Sequence, residues 1–405
     1  MPLTASFRTL WAGNAAGNLS DGLMFVALPL IAATLTQDPL LVAGLSTVYA
    51  AVRLCVVLPI GALVDRWDRR TILWSTNLIR AVALGGLSVL LLAGSGSIPV
   101  LYLAIALVGI VEVAADNAAQ AVVPTLVSSR DLDRANGRIS AAQLIADEFV
   151  GPPLGGLLFG IAVALPISVA SAFYAVAGLL FLALPRTPRR PRPAARPARG
   201  SLWADTMQGA RRLAGDRLLG PLAIIGGVTS IAYMAPFAIL VVYAADVLDV
   251  TPTGYGVILA VSALGGLLGS LVAAPIRARI GYRWTIAGSL LLGAASMAGL
   301  AGTTSPWLAA VLLAAYILHA VLWGVCVSSL RQRLVLDRYR GRVNAASKLL
   351  GLLGLALGSA LGGVLAGVFG LAVPFLVSAV LFLGCAVAAL LLFRPRSRPL
   401  PTAVG

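Results

Sequence analysis

The chain has 405 residues, of which 59% are hydrophobic and 11% charged, with a formal net charge of +15. Water-soluble domains carry about a quarter charged residues, so a soluble enzyme and a disordered tail are both excluded. The 30 basic against 15 acidic residues invite a nucleic-acid reading, but that needs a basic face on a soluble domain.

A helix that crosses a bilayer needs about 20 apolar residues. Stretches of this kind cover 11–35, 40–64, 71–94, 98–122, 139–163, 165–185, 219–245, 254–275, 285–302, 306–330, 343–367 and 370–393. The first is too long and too polar for a cleaved signal peptide. With the N-terminus inside, every basic residue except Arg53, Arg80 and Lys348 falls in a loop on the inner side. The positive-inside rule then predicts twelve spans with both termini cytoplasmic, in a multi-pass protein of the plasma (inner) membrane. Anionic headgroups, rather than nucleic acid, explain the arginines.

Taken in chain order, the polar residues within spans fall on helical stripes. Span 1 carries Asn14, Asn18 and Asp21 at i, i+4 and i+7. Arg53 lies on span 2 and Arg80 on span 3. Span 4 carries Glu112, Asp116 and Gln120, and span 5 carries Asp147 and Glu148 just before GPPLGG at 151–156. Span 7 offers Thr229, Tyr233 and Pro236; span 10 offers Tyr316, His319 and Trp323. At about 1.5 Å per residue, Asp21 sits roughly 16 Å above the inner end of span 1 and Glu112 roughly 21 Å below the outer end of span 4. Both are near the bilayer centre. An ionisable group there normally faces a cavity or a partner. Low dielectric favours a neutral carboxyl and a neighbouring arginine favours the ionised one, so a movement that changes either can load or release a proton. Asp21 and Glu112 are the protonation candidates, with Asp116, Asp147, Glu148, Arg53 and Arg80 as coupled groups. The alternative is a static ion pair with Arg53 or Arg80.

The segment 186–217 begins with a proline-arginine run, which is extended and solvated, and continues into a predicted amphipathic helix over 201–217. There Trp203, Met207, Ala210 and Ala214 share a face, which reads as lying on the membrane surface. It divides the chain into 1–185 and 218–405, which echo each other. GPPLGG at 151–156 returns as GSALGG at 358–363, and Ser171-Ala172 returns as Ser378-Ala379. The loop Gly61-Ala-Leu-Val-Asp65-Arg66-Trp-Asp-Arg69-Arg70 has a degraded counterpart between Arg277 and Arg283. A six-plus-six duplication of this kind is an architecture of secondary transporters.

On these residues the chain resembles the major facilitator superfamily over essentially its whole length. Gly61 to Arg70 is similar to that family's loop 2–3 signature, with Asp68 where glycine is usual. GPPLGG (Gly151, Pro152, Gly155, Gly156) is similar to its antiporter signature, with Asp147 where a glycine is usual. LWAGNAAGNLSDG, ALPLIAATLT, DNAAQAVVPTLV and LDRANGR resemble the drug and siderophore exporter branch. The resemblance implies an all-α membrane fold of twelve transmembrane helices in two pseudo-symmetric six-helix bundles. It implies that Gly61, Asp65, Arg66, Arg69 and Arg70 latch a cytoplasmic gate, with Arg69 pairing a span 4 acid; Asp116 has the right depth. It implies that spans 1, 4, 7 and 10 line a cavity, with Asn14, Asn18, Tyr233, Tyr316, His319 and Trp323 as substrate contacts. Without that resemblance, the glycines of span 5 read as packing residues.

No Walker A, HExxH or GxSxG motif is present, which argues against ATP-driven pumping and hydrolysis. Cys55, Cys326 and Cys385 lie in separate spans, so neither a metal nor a redox motif is supported. The reading is a non-enzymatic, monomeric, proton-coupled exporter of a small amphipathic compound. Its partners are the bilayer, the substrate and protons, with no nucleic acid, no metal and no cofactor beyond the proton gradient. An importer on the same fold and a non-transporting receptor or scaffold are the alternatives.

Overall fold

The computed structural model describes residues 4–64, 67–128, 131–185, 202–335 and 337–393. Among these, every regular element is a helix. The first set comprises α1 (Ala5–Leu35), α2 (Pro39–Val64), α3 (Arg69–Leu92), α4 (Ile98–Leu126), α5 (Leu132–Gln143), a π-helical segment (Leu144–Val150), α6 (Gly151–Ile161) and α7 (Leu165–Leu182). A shorter helix, α8 (Leu202–Gly215), precedes α9 (Leu219–Phe237), α10 (Leu240–Asp246), α11 (Pro252–Gly302), α12 (Pro306–Leu334), α13 (Asp337–Phe369) and α14 (Val373–Leu392).

The sequence explains where these helices begin. The side chains of Thr251 and Ser305 cap α11 and α12, each followed at once by a proline. That proline needs no N–H at the first helical position and has φ already set for it. Asp68, the departure from the family's usual glycine, caps α3: its carboxylate accepts from the Thr71 backbone N–H at 3.1 Å. Prolines also explain the interruptions. Pro236 precedes the break between α9 and α10, and Pro152-Pro153 follow the π-helical turn.

Eleven described helices are long and apolar enough to cross a membrane. One of them, α11, is 51 residues long and turns at Gly281, whose φ of 75° and ψ of 171° are not helical. It therefore carries spans 8 and 9, which gives the twelve crossings. The expected inner loop at 276–284 is helical except at this glycine, a backbone geometry that a side chain resists.

Helix α1 packs on α7, α3 on α4 and α7, and α2 on α4. In the later part, α9 packs on α13 and α14, and α11 on α12 and α14. Two larger pairings join these sets, α2 with α13 and α6 with α11. Both are tightest at the face opposite the termini. There Thr47 of α2 and Ser359 of α13 share a hydrogen bond of 2.8 Å, and a methyl group on Gly363 would meet Leu40 and Ala43 at 2.9 Å.

The predicted amphipathic helix is present as α8; of the face expected on the membrane surface, Ala210 is half-buried and Ala214 exposed, and the side chain of Trp203 lies outside the described residues. Leu213 is buried with Leu219, Val335, Val343 and Ala346, with Ala210 and Tyr339 against them, and the Arg212 guanidinium lies 4.0 Å from the centre of the Tyr339 ring. Met207, expected on the apolar face, is exposed. The proline-arginine run before α8 lies outside the described residues.

Candidate functional site

Two clusters of ionisable side chains sit at membrane depth in the first half. In the larger, Tyr49 and Arg53 lie one turn apart on α2, opposite Glu112 and Asp116, one turn apart on α4. That spacing puts each pair on one helix face. Arg53 Nη1 lies 2.5 Å from Glu112 Oε1, and the Tyr49 hydroxyl donates to Glu112 Oε2 at 2.5 Å. Arg53 also donates to the Tyr49 hydroxyl, and its Nη2 is 3.6 Å from Asp116 Oδ2. Gly109 makes this approach possible, because a methyl group there would stand 3.1 Å from the Tyr49 ring. Glu112 is well covered at 14% side-chain exposure, whereas Asp116 is 48% exposed.

The second cluster joins three helices. Tyr174 of α7 donates to Asp21 of α1, and Arg80 Nη1 of α3 lies 3.8 Å from Asp21 Oδ1. The Arg80 guanidinium is 5.1 Å from the centre of the Tyr174 ring, and Arg80 is buried. Asp21 and Glu112 are thus each held by one arginine and one tyrosine. Such sites bind a negative charge when it is present and remain hydrogen-bonded when it is not.

Asp147 and Glu148 lie on the π-helical segment, where the Gly151 N–H bonds to the Ala146 carbonyl, five residues back. The GPPLGG glycines that follow split between two neighbours. Gly151 faces Gly22 of α1 so closely that a methyl group there would stand 2.6 Å from the Gly22 backbone, which leaves no room for a side chain. Gly155 faces Leu23 of α1, whereas Gly156 abuts the Pro252 carbonyl at the start of α11. Gly256 of α11 returns the contact against Pro152 and Pro153. The motif is therefore a seam between the two halves as well as a packing surface within the first.

The second half contributes aromatics. Tyr233 of α9 stacks on Tyr316 of α12 with centroids 6.0 Å apart and planes 6° from parallel, and Phe237 lies 4.5 Å from Tyr233. Trp323 lines a cavity of about 190 Å³ with Ser230, Arg331 and Ser347. Asn14 and Asn18 are half-buried on α1. Tyr316 and His319, both expected in the cavity, are buried instead at 2% exposure each; His319 packs edge-on against Phe382 at 4.9 Å. Its ring fills the space left by Gly293 of α11. It also lies beside Tyr316, with ring centroids 5.3 Å apart, as helical spacing expects.

Of the expected gate residues, Gly61 lies in the last turn of α2, while Asp65 and Arg66 lie outside the described residues. Arg70 donates to the Leu182 carbonyl at the end of α7. Asp116 pairs with Arg53, and Arg69 and Asp116 form no ion pair in this structure. Arg53 occupies the carboxylate from inside the bundle, on the helix that already packs against α4. Sequence reasoning missed Tyr49, Tyr174 and the position of Lys348. Tyr49 was recoverable, since it stands one turn before Arg53 as Glu112 stands one turn before Asp116.

A larger cavity, about 360 Å³, lies between the halves toward the face that carries the termini. Val57, Leu58 and Val64 of α2, Asn117 and Ala121 of α4, and Ala345, Lys348 and Leu349 of α13 line it. The halves meet at the opposite face and part at this one.

The model of the Major Facilitator Superfamily matches residues 10–247 and 222–404. The enterobactin exporter EntS of Shigella boydii serotype 4 (strain Sb227) is 27% identical over 367 residues, covering 87% of this chain and 83% of that protein. The EntS of Escherichia coli O81 (strain ED1a) shows the same identity and coverage. Among solved structures, the nucleoside transporter NupG superposes with a TM-score of 0.74 at 15% identity, covering 97% of this chain and all of that one. A bacterial homologue of the human lysosomal transporter Spinster, inward-facing and occupied, gives 0.76 at 14% identity, covering 95% and 96% of the two chains. By sequence over nearly its whole length, and by a fold of twelve crossings in two sets, the chain belongs to the Major Facilitator Superfamily of membrane transporters.

Proposed function

We propose that this chain is a proton-driven exporter of a small amphipathic compound, with both termini in the cytoplasm. Residues 1–185 and 218–405 act as two bundles, joined by 186–217, that rock about their shared seams. The cavity is then open alternately to each side. One observation carries the reading. Asp21, Glu112 and Asp116 lie at membrane depth with Arg53 and Arg80 for counter-charges, which leaves a carboxylate for a proton to neutralise. The resemblance to enterobactin exporters supports the outward direction, and the partly exposed rings of Tyr233 and Phe237 suit an amphipathic cargo. Asp21 and Glu112 are the proton carriers in this reading.

Two measurements test it. Expression in an efflux-deficient bacterium should lower the accumulation of at least one amphipathic dye or antibiotic. Raised accumulation would show an importer, and no change across a broad panel would favour a scaffold. In lipid vesicles, an imposed proton gradient should speed counterflow of that compound. Asp21→Asn and Glu112→Gln should each abolish the acceleration; undiminished coupling in both would remove these carboxyls from the proton path.

A further inference from the structure

We propose that Lys348 is the cross-half partner of Asp116, forming an ion pair as the cavity at the terminal face closes, and that protonation of Asp116 opens the pair. The proposal rests on the proton-driven reading above and assigns it a gate.

Lys348 is the single lysine in a chain whose other basic residues are all arginine. It projects from α13 into the 360 Å³ cavity, across which stands Asn117, the residue after Asp116 on α4. Asp116 is the most exposed carboxylate of the two clusters, at 48%, and its contact with Arg53 is long at 3.6 Å. Arg53 is committed to Glu112 at 2.5 Å. With all groups ionised, three carboxylates face two guanidiniums, and the excess negative charge falls on Asp116. Removing that charge from water is costly unless something neutralises it. The two candidates are a proton and a cation from the opposite half.

Lys348 and Asp116 form no ion pair in this conformation, in which the halves are parted at this face. Closing the cavity moves α13 toward α4 while the seams at Thr47–Ser359 and at Gly156–Pro252 loosen. An ammonium is well suited to this: a compact charge on a flexible stem that makes and breaks a contact without the fixed fork of an arginine. The charged groups that act on Asp116 are Glu112, Arg53, Arg80 and Lys348, and Asp116 in turn acts on Asp21 and Asp147. Lys348 alone among them comes from the second half. A proton on Asp116 removes its charge and the reason for Lys348 to stay, so acid favours the cavity open to the terminal face and base favours it closed.

The test reads the gate directly. In full-length protein with the exposed Cys55 replaced by serine, a cysteine at Ala121 reports access from the terminal face through its labelling rate with a charged maleimide. Divided at each pH by the labelling rate of the same cysteine in unfolded protein, which removes the pH dependence of the thiolate itself, that rate in the wild-type background should fall roughly tenfold between about pH 5.5 and about pH 8, as a protonation-linked equilibrium worth one pKa unit would give. Lys348→Gln should label fast at both pH values, Lys348→Arg should restore most of the change, and Asp116→Asn should mimic acid. A Lys348→Gln protein that closes with the same pH dependence would overturn the assignment and leave proton coupling standing. Labelling independent of pH in the wild-type background, yet faster in Lys348→Gln, would uphold the pair and overturn its link to the proton.

Discussion

Arg53 and Glu112 are where a static and a functional role can be separated at the level of single residues. Removing one partner of a buried ion pair leaves an uncompensated charge and costs about 3–5 kcal/mol, whereas replacing both with apolar groups of similar size is often neutral. Arg53→Met should therefore lower the melting temperature of the detergent-purified protein markedly, and Arg53→Met with Glu112→Leu should recover most of it. Proton-driven transport should stay absent in the double variant. Recovery of both would make the pair a helix-orienting device and nothing more. The sequence made these two legible because charges that break an otherwise apolar span must be reconciled with hydrocarbon. It did not disclose which acid each arginine takes, because depth along a helix is readable and rotation toward a neighbour is not. Hence depth matches Asp116 to Arg69 whereas Arg53 holds it, and the His319 ring fills the gap beside Gly293. Tyr174 lacked any signal beyond being a polar tip in an apolar span.

At the scale of elements, the π-helical turn before GPPLGG follows from two missing donors. Pro152 and Pro153 offer no N–H to the carbonyls of Glu148 and Phe149, so the preceding turn widens and the Gly151 N–H bonds five residues back. Such single π turns recur at functional sites. Here one re-aims Asp147 and Glu148 relative to the glycines that touch α1 and α11. Two adjacent prolines within a span predict a kink, and a kink and a widened turn are alternative answers to the same loss. Replacing both prolines with alanine should restore the α-helical register and rotate Asp147 by about 100° relative to Gly156. Expression and melting temperature should hold or rise while transport falls. Transport at the original rate would show that the turn serves packing alone.

For the whole molecule, the pattern of arginines and the repeat make twelve crossings and two halves readable from the chain itself, because sidedness and length are properties of the bilayer. Which ends meet was not readable. It is set by close approaches such as Gly363 to Leu40 and Gly156 to Pro252, each of which depends on the register of two distant helices. These contacts hold the halves together at the face opposite the termini, so a rocking cycle must break them once per turnover. Thr47 and Ser359 touch across this seam at 2.8 Å. With cysteines at both positions, oxidation or a short bifunctional thiol reagent should fix the seam shut. Substrate would still enter from the terminal face, so binding should persist, while transport should fall to background and return on reduction. Each single-cysteine variant should be insensitive to the oxidant. Transport that continues through a verified cross-link would mean that this seam stays closed throughout the cycle, and that the opposite opening arises elsewhere than between α2 and α13.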